Sequence, residues 1–123
     1  MSALVYKILR ISEWAAAKKA AAFRGSPDDL RDGFIHLSTA DQLRATVEKH
    51  FSNESPLMLL VIATEPLGER LRWEVSRGGQ KFPHLYAALP LGLAQSCGEL
   101  RRGADGKIIF PIDIPLSPIG GEG

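Results

Sequence analysis

Hydrophobic positions along the chain change period several times, and each change predicts an element. From Leu4 to Ile11 bulky and β-branched residues are interrupted only by Lys7 and Arg10, which predicts a first strand. Ser12 has the chemistry of a helix N-cap, and Glu13 suits the positive end of the helix dipole. The alanine-rich stretch from Glu13 to Phe23 favours helix by propensity, with Trp14, Ala17 and Ala21 at helical spacing. Gly25, followed by Ser26-Pro27-Asp28-Asp29, predicts a helix end and a polar loop. Gly33 to Ser38 reads as a second strand, short and mostly apolar. Thr39-Ala40-Asp41-Gln42 then matches a capping box for a second helix, which runs to about Phe51 on an inner stripe of Leu43, Val47 and Phe51.

Beyond a break at Asn53 to Pro56 the period shortens. Leu57 to Thr64 is apolar on both faces, the pattern of a central buried strand. In Arg70 to Val75, Leu71, Trp73 and Val75 alternate with Arg70, Arg72 and Glu74, predicting one inward and one outward face. Gly78-Gly79 predicts a loop, Pro90 to Gly92 a turn, Ala94 to Leu100 a strand, and Asp105-Gly106 a hairpin turn into Ile108 to Ile114. Residues 116–123, with Pro118 and Gly120-Gly121, read as a loose tail on a single domain of residues 1–115. Two helices early and most strands late argue for an α+β fold with a mixed or antiparallel sheet.

Composition narrows the function classes. The 123 residues carry 15 basic and 14 acidic side chains, a net charge of +1, which gives no electrostatic reason to expect nucleic acid or membrane as partner. Cys97 is the only cysteine, so no internal disulfide is possible, and with three histidines it makes a poor zinc set. The N-terminus lacks the pattern of a secretory signal, and the longest apolar run has seven residues, so a cytoplasmic location is the expectation. No GxGxxG or Walker-type loop is present.

Three segments hold chemistry. Period-two logic puts Phe34, His36 and Ser38 on one face of the second strand, with Ile35 and Leu37 on the core face. His36 and Ser38 then point to a groove where the next helix begins, a place suited to a phosphate or carboxylate. The alternative is a histidine bonded to backbone, with Ser38 and Thr39 serving only as caps. In Phe82-Pro83-His84-Leu85-Tyr86, Pro83 stiffens an extended segment whose Phe82, His84 and Tyr86 share a face, able to stack a ring or to line a core corner. Arg72 and Glu74 either bind a phosphate and orient a hydroxyl or form a surface cross-strand pair. His50 reads as structural or solvated, and Cys97 lacks a basic neighbour to activate it. Ser38 is not on a G-x-S-x-G elbow. A metal-dependent hydrolase would need His36, His84 and Glu74 to converge, and no close-spaced ligand pair supports it.

Leu4-Val5-Tyr6-Lys7-Ile8 leading to Trp14, Gly33 to Gln42, and Arg72-Trp73-Glu74 followed by Phe82 to Tyr86 occur in an order that resembles the domain of unknown function 952 family, over roughly residues 3–100. At greater distance, Ile35-His36-Leu37-Ser38 is similar to a strand of the ADP-ribosyltransferase superfamily, which includes RNA 2′-phosphotransferases and rifampin ADP-ribosyltransferases. That resemblance implies a split, strongly bent mixed sheet with NAD in its cleft. It implies a small-molecule ligand, NAD or a related phosphorylated nucleotide, with possible transfer of ADP-ribose. His36 and the amides after Ser38 would hold phosphate or ribose, Thr39 and His84 would line the cleft, and Tyr86 would stack or pack on a ring. Glu74 would be the catalytic carboxylate, with His36 beside it. On the first strand, where many of those relatives carry a ligand-binding His or Arg, this chain has Tyr6-Lys7. A binding module without catalysis on the same fold is the other reading.

Overall fold

Seven consecutive apolar residues from Leu57 leave no polar face to show to water, and the strand they form takes an interior place in the main sheet. The computed structural model describes residues 3–110. In chain order the elements are β1 (Leu4–Arg10), α1 (Ile11–Ala20), β2 (Ala22–Phe23), α2 (Pro27–Asp32), β3 (Ile35–His36), α3 (Ala40–His50), β4 (Leu57–Ala63), β5 (Leu71–Val75), β6 (Lys81–Leu85), β7 (Leu89–Pro90), β8 (Ala94–Arg102) and β9 (Ile108–Ile109). Short 3₁₀ turns at Glu65–Arg70, Arg77–Gly79 and Leu91–Leu93 connect the later strands.

The main sheet has the order β1-β4-β8-β9. Period two divides β4 between two cores. Leu57, Leu59 and Val61 join Tyr6 and Ile8 of β1 beneath the Leu43, Val47 and Phe51 stripe of α3. Leu60 and Ile62 join Val5 and Leu9 on the opposite face, against Ala17 of α1 and against Ile35, Leu37 and Leu85. A second sheet, β3-β6-β5, therefore packs through Ile35 and Leu85 on the first. The two sheets also meet by backbone pairing: the Tyr6 amide donates to the Ser38 carbonyl at 2.8 Å, and the Ser38 amide returns to Tyr6 at 2.9 Å. The α+β class and the buried stripe of α3 thus follow the sequence pattern. No helix among the described residues is long and apolar enough to cross a membrane.

Several expectations change. Ser12 does not cap α1; the cap is Arg10, whose amide donates to Glu13 Oε1 at 2.8 Å, so the helix starts where β1 ends. The helix stops at Ala21, in the left-handed region (φ 61), and the next two residues leave as β2 to pair with β7. Ser26 to Asp29 is not a loop but the start of α2. Ser26 Oγ accepts from the Asp29 amide, Asp29 Oδ2 accepts from the Ser26 amide, and Pro27 fills the first helical position. The first fifty residues accordingly hold three helices, not two. Gly33 does not open a strand; it caps α2 with φ 88.

Every pairing among the described residues is antiparallel, which corrects the mixed sheet. Trp73 and Val75 are not inward: exposure is 44% and 66%, because β5 is an edge strand that runs out past the core from half-buried Leu71. The loose tail and the last residues of the Ile108 to Ile114 strand lie outside the described residues.

Leu60 is fully buried on the inner face of β4. Leu60→Ala is expected to cost about 2–5 kcal/mol, read as a lower urea midpoint at unchanged slope. A loss well under about 1 kcal/mol would remove that face from the core.

Candidate functional site

A lysine inside a strand with apolar neighbours on both faces needs a buried acid, and Lys7 finds one. It is 7% exposed, and its Nζ lies 3.0 Å from Asp29 Oδ2 while donating to the His36 carbonyl at 2.9 Å. Asp29 is 2% exposed. Besides Lys7 and the Ser26 amide, its carboxylate accepts from the His36 amide at 3.1 Å and meets His36 Nδ1 at 2.6 Å. Burial by itself would raise the Asp29 carboxyl, but the hydrogen bond from His36, the charge of Lys7 and the backbone donors overcome it and hold the group far below the usual carboxylate range. Burial also pulls the Lys7 ammonium down, against the opposing pull of Asp29.

The antiparallel register sets His36 of β3 directly opposite His84 of β6. Their ring centroids are 5.6 Å apart at an interplanar angle of 72°. Phe34 fixes both rings, stacking on His84 at 4.0 Å and lying 4.7 Å from His36. The Nδ1 atom of His84 is 2.7 Å from Glu74 Oε1, which also accepts from the Tyr86 hydroxyl at 2.8 Å. Those two donors, His84 first, lower the Glu74 carboxyl, and the same carboxylate raises the Tyr86 phenol. Arg72 lays its guanidinium 4.8 Å from the Tyr86 ring centroid.

A cavity of about 420 Å³ opens against this cluster, within the usual range of ligand pockets. His36, Ser38 and His84 line it, together with Lys7, Asp29, Asp32 and Lys49. Ser38 is buried, with its Oγ 3.0 Å from Thr46 Oγ1. Glu74, Tyr86 and Thr39 were the other expected lining residues, and none of them lines the cavity. Glu74 stands behind His84. The Tyr86 hydroxyl donates to Glu74 and its ring meets the Arg72 guanidinium. Thr39 precedes α3, and its amide donates to Gln42 Oε1 at 3.0 Å, which removes it as a phosphate donor. His50 is exposed at the cavity margin, and Cys97 is exposed on β8.

His36, Glu74 and His84 therefore do come together, as two carboxylate-anchored imidazoles and not as a metal site. No group of three His, Cys, Asp or Glu side chains among the described residues is arranged to hold a metal. Each carboxylate fixes its ring's orientation at Nδ1; Nε2 of His36 meets Asp32 Oδ2 at 2.9 Å, whereas Nε2 of His84 is left for other work where Nδ1 carries the proton. For His84 that nitrogen has no hydrogen-bond partner among the described residues, although the side chain is about nineteen-twentieths buried. The sequence pattern gives Lys7, Asp29 and Asp32 no site role, whereas period two does set Phe34 on the His36 face. The available signals were the charged residue inside β1 and the Ser26-Pro27-Asp28-Asp29 helix start.

A family model described as "Protein of unknown function (DUF952)" matches residues 8–96. The crystal structure of protein CC0527 from Caulobacter crescentus is 44% identical, with a TM-score of 0.82, covering 97% of this chain and 96% of that one. The solution structure of CC0527 is 49% identical, with a TM-score of 0.76, over 85% of this chain and 90% of that one. No curated protein matches the chain.

Asp29→Asn is expected to destabilise the fold by about 3–5 kcal/mol, because it leaves Lys7 buried without its counter-charge. The sign of the pH effect follows from the lowered Asp29 carboxyl. Its stabilisation is present above the unfolded value of about 3.9 and is lost on acidification. Urea midpoints measured from about pH 5 down to 2 should fall more steeply for the wild type than for Asp29→Asn. Parallel slopes would exclude Asp29 as the controlling group.

Proposed function

The chain belongs to the DUF952 family, which is defined without an activity, and from its cavity we propose that it binds a small phosphorylated molecule, with NAD or a related nucleotide as first candidate. The observation that carries this reading is the pair of carboxylate-anchored imidazoles on one wall of the cavity. A buried imidazole nitrogen without a partner is costly, and a ligand hydroxyl donating to His84 Nε2 would relieve that cost. His36, held by Asp29, donates to the ligand's anionic part. Lys49, which lines the cavity and has no ion-pair partner among the described residues, adds positive charge. The similarity of Ile35-His36-Leu37-Ser38 to the ADP-ribosyltransferases supports a nucleotide of the NAD type and, with it, an ADP-ribosyltransferase-like fold.

In transfer, the acceptor oxygen bonds to the ribose carbon that carries nicotinamide, the bond to nicotinamide breaks and neutral nicotinamide leaves, and His84 takes the acceptor hydroxyl's proton. Glu74 stabilises the resulting imidazolium from behind. Glu74 is then a positioning residue, not the group that meets developing charge on the sugar. Its engagement outside the cavity favours a second reading, binding without transfer, in which NAD stays intact and Glu74→Gln still binds.

Thermal-shift assays with NAD, ADP-ribose and AMP test both readings. Ligand at 100 times Kd should raise the wild-type Tm by on the order of 10 °C, with the shift lost in His36→Ala and His84→Ala. Absence of any nucleotide-dependent shift in the wild type would overturn the binding reading. Release of free nicotinamide from NAD, followed by NMR, separates transfer from binding alone.

A further inference from the structure

Both ring nitrogens of His36 face carboxylates, and the two carboxylates are not alike. Asp29 meets Nδ1 from a buried position and has three other donors. Asp32 Oδ2 meets Nε2 at 2.9 Å from a side chain that is 34% exposed, at the last position of α2. Its only other holder among the described residues is Arg31, with Nε 3.0 Å from Oδ1 and Nη2 3.4 Å from Oδ2. Arg31 is itself 67% exposed and shared with Asp28. The His36 ring and the Arg31 guanidinium thus converge at the cavity on one loosely held carboxylate. Nε2 of His36 faces this position and, where it carries the proton, presents an N–H to it.

We propose that His36 Nε2 and the Arg31 guanidinium form a phosphate subsite of the cavity, in which the Asp32 carboxylate is an internal anion that a ligand's phosphate displaces. This deepens the binding reading above and rests on it. The donor set suits a phosphate, which takes a guanidinium fork and an imidazole N–H together. Displacing Asp32 frees both donors at little cost, because a half-exposed ion pair contributes little and the side chain can turn to water. Charge favours phosphate over carboxylate, since a dianion gains more from the Arg31 cation than a second monoanion does. The class of ligand narrows further at His84. Its buried, unpartnered Nε2 belongs to a ring whose centre is 5.6 Å from that of His36, so it is placed to accept from a hydroxyl on the same molecule. A phosphate ester carrying a neighbouring hydroxyl, as a sugar phosphate does, satisfies both nitrogens.

Inorganic phosphate is the probe, titrated into wild type, Asp32→Asn and Asp32→Ala while the His36 ring signals are followed by NMR; acetate serves as the carboxylate arm. The expected result is a His36 response in every case and phosphate affinity about two- to fivefold higher in both variants than in the wild type. Acetate should bind more weakly than phosphate throughout. Unchanged or weaker phosphate affinity in both variants overturns the proposal, as does binding that leaves the His36 ring unmoved, or acetate binding as tightly as phosphate. Nucleotides that fail to bind, alongside a phosphate gain in the variants, would leave the subsite standing and remove the nucleotide. Nucleotides that bind, with no phosphate gain, would remove the subsite alone.

Discussion

The site depends on one buried carboxylate. Asp29 ties three segments together at this point: the Ser26 turn that opens α2, Lys7 in β1, and His36 in β3. Its side chain accepts from two backbone amides, an ammonium and an imidazole, while its own carbonyl accepts from Gly33 and Phe34. Isolated, such a carboxylate would not be tolerated at 2% exposure. Surrounded by these donors it stays ionised, and the donors are in turn fixed by it. The orientation of the His36 ring is therefore a consequence of how α2 is capped.

His84 reaches a similar state by a different route. Strand pairing with β3 and β5, and the stack on Phe34, set its ring, and Glu74 and Tyr86 complete the bonding behind it. One imidazole is consequently anchored by helix capping and a buried ion pair, the other by a sheet face. The contrast carries chemistry, since His36 has a second carboxylate at its outer nitrogen while His84 has none. The former suits contact with an anion and the latter acceptance of a proton.

The polar face of the small sheet explains why β5 departs from its alternation. Arg72 and Glu74 share a face with His84 and Tyr86, where each has a partner. Trp73 and Val75 fall on the other face. Near Leu71 that face still meets the core, but the strand then runs past it and exposes its apolar side chains. An alternating pattern says that two faces differ. It does not say which is buried when the strand is an edge.

Local rules in the chain were sufficient for much of this protein. The two-faced burial of β4, the stripe of α3, the placement of Ile35 and Leu37 in the core, and the candidacy of His36 and His84 all follow from periods and caps within a few residues. The Ser26 helix start was equally local, and it was obscured by a proline and acids that also suit loops. What local pattern cannot carry is pairing between distant segments. Lys7 and Asp29 are 22 residues apart, and the register that sets His36 against His84 spans more than twice that. A buried charge can be recognised as needing a partner, but the partner is chosen by which elements pack together. Tertiary structure alone therefore decided that Glu74 stands behind His84, that Tyr86 and Thr39 lie off the cavity, and that Asp32 occupies the outer nitrogen of His36.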